Sequence, residues 1–212
     1  MKPQLIFLGA PGSGKGTQAA RVVTQLGYEH LSTGDLLRKE IKSGSELGKK
    51  VTAIMDAGNL VDDLTMIELL KANCDLDGKN YIFDGYPRNK DQSQVLDNEF
   101  LKGVASKAIY FDIDLDLLAE RLINRRTCGD CGEIYNLKSK PPAKAGVCDK
   151  CGGSNLQQRK DDNEETVKTR LGVFRDTIEP VLAHYKAQDR LVRVDASKES
   201  DAVFKQIKQA ID

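Results

Sequence analysis

Gly9-Ala10-Pro11-Gly12-Ser13-Gly14-Lys15-Gly16-Thr17 decides how this chain is read. Four apolar residues, Leu5-Ile6-Phe7-Leu8, precede it in a run that suits a strand buried on both faces. Gln18 to Leu26 follows as a helix that stops at Gly27. The stretch therefore fits G-x-x-x-x-G-K at a strand-to-helix junction. Glycines let the backbone curl so that successive N–H groups converge, and the helix start adds the positive end of its dipole. Lys15 adds a mobile charge. Together these features imply a loop wrapped round phosphate and make a merely flexible turn a poor explanation. One departure matters: the general pattern places Ser or Thr directly after the lysine to hold magnesium. Here that position is Gly16, with Thr17 next.

Bulk properties narrow the classes. A length of 212 residues suits one core with insertions, and 40% apolar residues suffice for a real core. Lysine plus arginine equals aspartate plus glutamate, 32 each, which argues against a general nucleic-acid or membrane-surface binder. No stretch reaches the ~18 apolar residues of a membrane span, and the start lacks a signal-peptide cleavage site. The chain is expected to be cytosolic, so its five cysteines call for a role other than disulfides.

Outward from the loop, strands and helices alternate, which implies a parallel sheet covered on both faces. Strands are predicted at Tyr28–Leu31, Tyr81–Asp84, Lys107–Ile113 and Leu191–Val194. Helices are predicted over Leu36–Ile41, Glu46–Ala57, Leu64–Leu76 (carrying Cys74 as a small buried hydrophobe), Asp91–Leu101, Leu115–Arg126 and Lys198–Ile211, with Arg121, Arg125 and Arg126 crowding the end of the fifth. A further long helix opens at Asp161-Asp-Asn-Glu-Glu165, where Asp162 with Glu165 fits a capping pair. Its face Val167, Leu171, Phe174, Ile178, Val181 or Leu182, and Tyr185 reads as core, and Pro180 is placed to kink it. Asp84 ends an apolar strand, where phosphate-loop enzymes hold magnesium through water. Arg88 follows at the end of the sheet where ligands bind. Neither His30 nor His184 has partners that suggest catalysis.

Cys128-x-x-Cys131 and Cys148-x-x-Cys151, sixteen residues apart, are two knuckles whose four thiolates can surround zinc at about 2.3 Å. Four cysteines leave no open position, so the metal is structural, although such a set also accepts iron. The segment between is too polar for a core of its own, so the metal supplies its folding energy. A nucleic-acid-binding zinc ribbon is the rival reading. A single aromatic, Tyr135, among the lysines is thin for base stacking.

Arg38, Arg88, Arg125, Arg159 and Arg170 gather at motif junctions in a chain of zero net charge. That is what binding several phosphates in line, and neutralising a phosphoryl group in flight, requires. Gly9–Thr17, Ser32-Thr-Gly-Asp35, Gly58-Asn-Leu-Val61, Asp84-Gly-Tyr-Pro-Arg88, Gln92, Asn124-Arg-Arg126 and Asp161–Glu165 come in an order, over nearly the whole chain, that resembles the adenylate kinases. The cysteine insert is similar to the long lid of some bacterial members. The resemblance implies a phosphate-loop nucleoside monophosphate kinase fold: a five-stranded parallel sheet with helices on both faces, a helical AMP-binding insert and a zinc-bearing lid. It implies a core of 1–31, 62–126 and 161–212, an AMP-binding segment of 32–61 and a lid of 127–160. It also implies ATP, AMP and ADP as ligands, Mg2+ with ATP, a structural Zn2+, no nucleic-acid or membrane partner, and a monomer.

By the same resemblance, Gly12, Ser13, Gly14, Lys15, Gly16 and Thr17 would wrap the ATP phosphates. Arg121, Arg125, Ile134, Tyr135 and the Lys198 carbonyl would complete the ATP site, with Arg121 one helical turn before Arg125. Thr33, Arg38, Asn59, Leu60, Val61, Gly85, Tyr86, Pro87, Arg88, Gln92, Arg159 and Arg170 would hold AMP, Gln92 reading the adenine edge. Lys15, Arg88, Arg125, Arg159 and Arg170 would act on the phosphoryl group in transfer. The Tyr86–Pro87 bond would be cis. A kinase for UMP or CMP is the near alternative.

Overall fold

The computed structural model describes residues 2–76 and 78–211. Chain order is β1 (Gln4–Leu8), α1 (Lys15–Leu26), β2 (Glu29–Ser32), α2 (Thr33–Ser43), α3 (Glu46–Asp56), α4 (Asp63–Asn73), β3 (Tyr81–Asp84), α5 (Lys90–Val95), β4 (Ser106–Asp112), α6 (Leu118–Ile123), β5 (Arg125–Cys128), β6 (Ile134–Asn136), β7 (Leu156–Gln157), α7 (Glu164–Lys186), β8 (Leu191–Asp195) and α8 (Ser200–Ile211).

A five-stranded sheet in the order β2-β3-β1-β4-β8, parallel at every pairing, forms the core. β1 is buried along its whole length because it lies in the middle and helices cover both faces. Side chains alternate along a strand, so Ile6 and Leu8 pack with Phe83, Leu70 and Tyr185 on one side. Leu5 and Phe7 pack with Val22, Phe111 and Ile207 on the other. Each such side chain withdrawn from water contributes about 1.5–3 kcal/mol. The chain builds β2 and β3 on one side of β1, then β4 and β8 on the other. The crevice at that reversal lies at the C-terminal ends of β1 and β3, where Gly9 and Asp84 sit.

Several elements differ from expectation. α2 begins at Thr33 because Ser32 caps it, its hydroxyl accepting from Asp35 N–H at 3.3 Å. α4 ends at Asn73, so Cys74 is not on the helix: it is extended, half-buried and packed against the core. The segment after α5 continues as a π-helix, Leu96–Leu101. The helix expected over Leu115–Arg126 is a 3-10 turn, Leu115–Leu117, followed by α6, which stops at Ile123. Arg125 and Arg126 instead open β5, the middle strand of a second, three-stranded antiparallel sheet, β6-β5-β7. Pairing with residues 134–136 and 156–157 outweighs the local helical pattern there. α7 is capped by Asn163, whose side chain accepts from Thr166 N–H at 3.0 Å. Asp162 is thus no cap. α7 also runs unbroken through Pro180.

Candidate active site

The phosphate loop takes the shape its glycines permit. Gly14 stands at the start of α1 with φ 95°, a left-handed conformation costly to any residue with a Cβ. Lys15 folds back inside the curl, its ammonium donating to the Gly9 and Ala10 carbonyls at 2.7 and 3.0 Å. Burial lowers its pKa to about 8, and the nearby charges of Arg88, Arg170 and Arg125 push the same way against the attraction of Asp84.

The loop forms one wall of a cavity of about 600 Å³. Nine cationic side chains line it against four acidic ones, in a chain with no net charge. Lys15, Arg38, Arg88, Arg121, Arg125, Arg159 and Arg170 all border this one space, although they come from six separate segments of sequence. Burial, with mutual repulsion second, lowers Arg88 to about 10 and Arg159 to about 9. Both stay protonated at neutral pH, and the crowding leaves them short of negative charge. A polyanion would supply it.

Acids hold the arginines in place. Asp162, with no exposed side-chain surface, accepts two bonds from Arg125 at 2.6 and 2.8 Å and one from Arg170 at 3.1 Å. Arg170 also pairs with Asp161 at 2.8 Å. Arg38 donates to Asp35 at 2.7 Å, and Arg159 lies 3.8 Å from the same carboxylate. Burial works to raise the Asp161 pKa, but Arg170 and its neighbours outweigh it and keep the group ionised. Asp35, Asp161 and Asp162 in these roles escaped the sequence reading, since an Asp beside a helix start reads first as a cap.

Asp84 borders the cavity. Its carboxylate is hydrogen-bonded to His30 Nε2 at 3.1 Å, across neighbouring strands. Burial would raise Asp84, and the bond to His30 together with Lys15 more than reverses this, so it is held below the usual carboxylate range. The sequence shows no partner for His30 that suggests catalysis, and the fold supplies a carboxylate at the cavity edge. The second histidine, His184, pairs at 2.8 Å with Asp97, which Arg190 grips as well, away from the cavity.

The remaining expected residues divide as follows. Gly12, Ser13, Gly16, Thr17, Thr33, Asn59, Leu60, Val61, Gly85, Pro87, Gln92, Ile134 and Lys198 all border the cavity. Tyr86 does not: its side chain lies in the core, 1% exposed, and only its cis bond to Pro87 matches expectation. Gln92 is already engaged at both ends of its amide, accepting from Arg88 N–H at 2.7 Å and donating to Asp63 at 2.6 Å. An adenine edge would share or displace that pairing. Arg121 is on α6 and Arg125 on β5, so the expected helical turn between them is absent. Tyr135 reaches the cavity wall, but its phenol is directed at the cysteines. Phe174 and Ile178 of α7 pack against the core clusters as expected and also border the cavity, together with Val173 and Thr177.

Ile134 of β6 lies against the phosphate loop. A Cβ on Gly16 would stand 3.3 Å from Ile134 Cδ1. Thr166 of α7 donates to the Asp56 carbonyl at the end of α3, 2.9 Å away. β6 thus meets the phosphate loop, and the end of α3 meets α7.

Cys128, Cys131, Cys148 and Cys151 come together with all four sulfurs within 4.8 Å of one another. The pairs Cys131–Cys148 and Cys128–Cys151 are 3.5 and 3.6 Å apart. A tetrahedron with metal–sulfur bonds of 2.3 Å has edges of roughly 3.8 Å. Backbone N–H groups of Glu133, Gly153 and Lys150 point at Cys131, Cys151 and Cys148. The donor set and its amide shell are compatible with zinc. Among the described residues no helix is long and apolar enough to cross a membrane.

Comparison with known proteins agrees with this geometry. The adenylate kinase family model matches residues 7–190. A curated adenylate kinase of Thermosipho melanesiensis is 45% identical over 211 residues, covering 96% of each chain. One of Nitrosococcus oceani is 43% identical over 211 residues, 98% of this chain and 97% of its own. One of a Geobacillus strain is 41% identical over the same length and shares. A match of this extent, on a chain whose cavity gathers the expected loop and arginines, places it in the adenylate kinase family.

Proposed function

We propose that the chain catalyses reversible phosphoryl transfer, ATP + AMP = 2 ADP, directly between nucleotides bound end to end in the cavity. The observation that carries this reading is the convergence of Lys15 and five arginines, Arg38, Arg88, Arg125, Arg159 and Arg170, on one space of about 600 Å³. The acceptor, a phosphate, is already anionic, so no general base is needed. What the reaction requires is alignment and preorganised positive charge.

The loop Gly12–Thr17, Arg121, Arg125, Ile134 and the Lys198 carbonyl would hold ATP. Thr33, Arg38, Asn59–Val61, Gly85, Pro87, Arg88 and Gln92 would hold AMP. Lys15, Arg88, Arg125, Arg159 and Arg170 would surround the group in transfer. Asp84, ionised and fixed by His30, would hold magnesium through water. When bound with ATP, magnesium supplies further neutralisation of phosphate charge. The cysteine tetrad would hold a structural zinc. Segments 32–61 and 127–160 would close over AMP and ATP on a core of 1–31, 62–126 and 161–212, excluding the water that would otherwise accept the phosphoryl group. The enzyme would act as a monomer.

A coupled assay for ADP from ATP plus AMP tests the reading, with UMP and CMP as alternative acceptors. Turnover with AMP, lost in Lys15→Met and Arg88→Ala, supports it. Faster turnover with a pyrimidine monophosphate would replace AMP as the acceptor. No nucleotide transfer at all would overturn the assignment.

A further inference from the structure

Tyr135 lies on β6 next to Ile134, and neighbouring residues of a strand face opposite ways. Ile134 reaches toward Gly16 of the phosphate loop. Tyr135 is 2% exposed, with its hydroxyl oxygen 3.4 Å from Cys148 Sγ and 2.8 Å from the N–H of Asp149, which donates to it. We propose that Tyr135 is a positioning residue for the lid metal, its hydroxyl giving its proton to the Cys148 sulfur and facing away from any bound nucleotide. The inference rests on the reading of the four cysteines as a zinc site.

The direction of the bond follows from bookkeeping of protons. A metal-ligating sulfur is a thiolate and has none to give. The phenol has one, and its oxygen already accepts from Asp149. The proton is therefore free for the sulfur. The two bonds fix Tyr135 to the second knuckle at its first ligand and at the residue after it. β6 is otherwise paired with β5, which ends at Cys128 of the first knuckle. Tyr135 thus joins the strand that forms a cavity wall directly to the knuckle opposite. Donors of this kind around a ligating atom orient it and withdraw charge from it, and their loss typically weakens metal binding about 10–100-fold.

The test is Tyr135→Phe in the full chain, which keeps the ring and removes the hydroxyl. Leu156→Ala, which loosens the packing beside the cysteines, is the control. Zinc affinity, read by competition with a chromogenic chelator, is expected to fall 10–100-fold in Tyr135→Phe. In the Co2+-substituted protein the thiolate-to-metal band is expected to move to longer wavelength in Tyr135→Phe and to stay in place in Leu156→Ala. KM for ATP at saturating zinc is expected to stay within about twofold. Unchanged zinc affinity with an unmoved band overturns the proposal, and so does a raised KM for ATP with zinc affinity intact. Failure of the unsubstituted protein to bind zinc or tetrahedral Co2+ overturns the four-thiolate reading, and this inference with it.

Discussion

The five-stranded sheet and the proposed lid, residues 127–160, are ordered by different means. The sheet carries a hydrophobic cluster on each face, with Leu5, Ile6, Phe83 and Ile109 wholly removed from water. The lid buries three hydrophobic side chains among the described residues, and two of them are Cys128 and Cys148. A sheet stabilised by many small contributions can lose a polar side chain from its rim and stay folded. A lid organised round four sulfurs has no such reserve. Stability should therefore be spread over many side chains in the first region and rest on one metal ion in the second, while the transfer step depends on the cations of the core.

Metal removal is the largest lever. Structural zinc sites contribute on the order of 10–16 kcal/mol of binding free energy. Chelation, or Cys148→Ser, is expected to lower the melting temperature strongly, while turnover at low temperature, where β5 still pairs with β6 and β7, falls much less. Calorimetry with and without chelator, beside initial rates, checks this. Equal fractional losses in both would erase the contrast.

Asp162→Asn strikes the seam between the regions. This carboxylate is completely buried and ties Arg125 at the root of the lid to Arg170 of the core. Removing its charge leaves two guanidinium groups under-compensated, and breaking such a pair costs about 3–5 kcal/mol. Urea unfolding is the measurement. A change below 1 kcal/mol, by the standard of exposed pairs, would mean that the two parts are coupled by something else.

Lys15→Met belongs to the first region alone. Loss of one preorganised cation is expected to slow turnover by about 10²–10³-fold. The melting temperature should hold or rise, because a charge that burial disfavours is removed. A protein that instead fails to fold would show that the loop, too, depends on one group.

The same division decides what was legible in the sequence. Gly9–Thr17, the apolar strands and the two cysteine knuckles are local patterns, and each was placed by residue type and spacing. What escaped depends on distant partners. β5 exists because residues 134–136 and 156–157 pair with it, so Arg125 left the helix its neighbours suggested. Asp162 looks like a cap until Arg125 and Arg170 arrive from elsewhere in the chain. His30 meets Asp84 across two strands whose adjacency no short window reveals. The apolar period of α7 marks one face, but Phe174 and Ile178 show that part of that face borders a cavity. Periodicity reports that a surface avoids water, not what covers it.

Titration of Lys15 gives a smaller effect with two signs. Its folded pKa is about 8, below the ordinary lysine value near 10.4. Between these limits the unfolded chain keeps a proton that the folded one has released, so this group's contribution to stability rises with pH. Binding of phosphate over the same window weakens, because the ammonium is lost. The melting temperature of the nucleotide-free protein, minus that of Lys15→Met, should increase from pH 8 to 10 while ATP affinity declines. A flat difference would place the lysine in an ordinary solvated setting.

Gly16→Ala produces the smallest effect and tests both regions at once. Gly16 is the second residue of α1 and is not in a left-handed conformation, so alanine there favours the helix by up to about 1 kcal/mol. The new Cβ would sit 3.3 Å from Ile134 Cδ1, so the lid must give by a few tenths of an ångström when it lies on the loop. Displacing Ile134 from its rotamer costs about 0.5–1.5 kcal/mol, which is roughly 2- to 10-fold in affinity. The substitution should therefore raise the melting temperature slightly and raise KM for ATP, leaving KM for AMP alone because no AMP-side residue meets that atom. Pairing it with Ile134→Val, which shortens the opposing side chain, should restore the ATP value and keep the gain in stability. If KM for both nucleotides rose together, the obstruction would lie within the loop, and the lid would not be the surface that ATP closes.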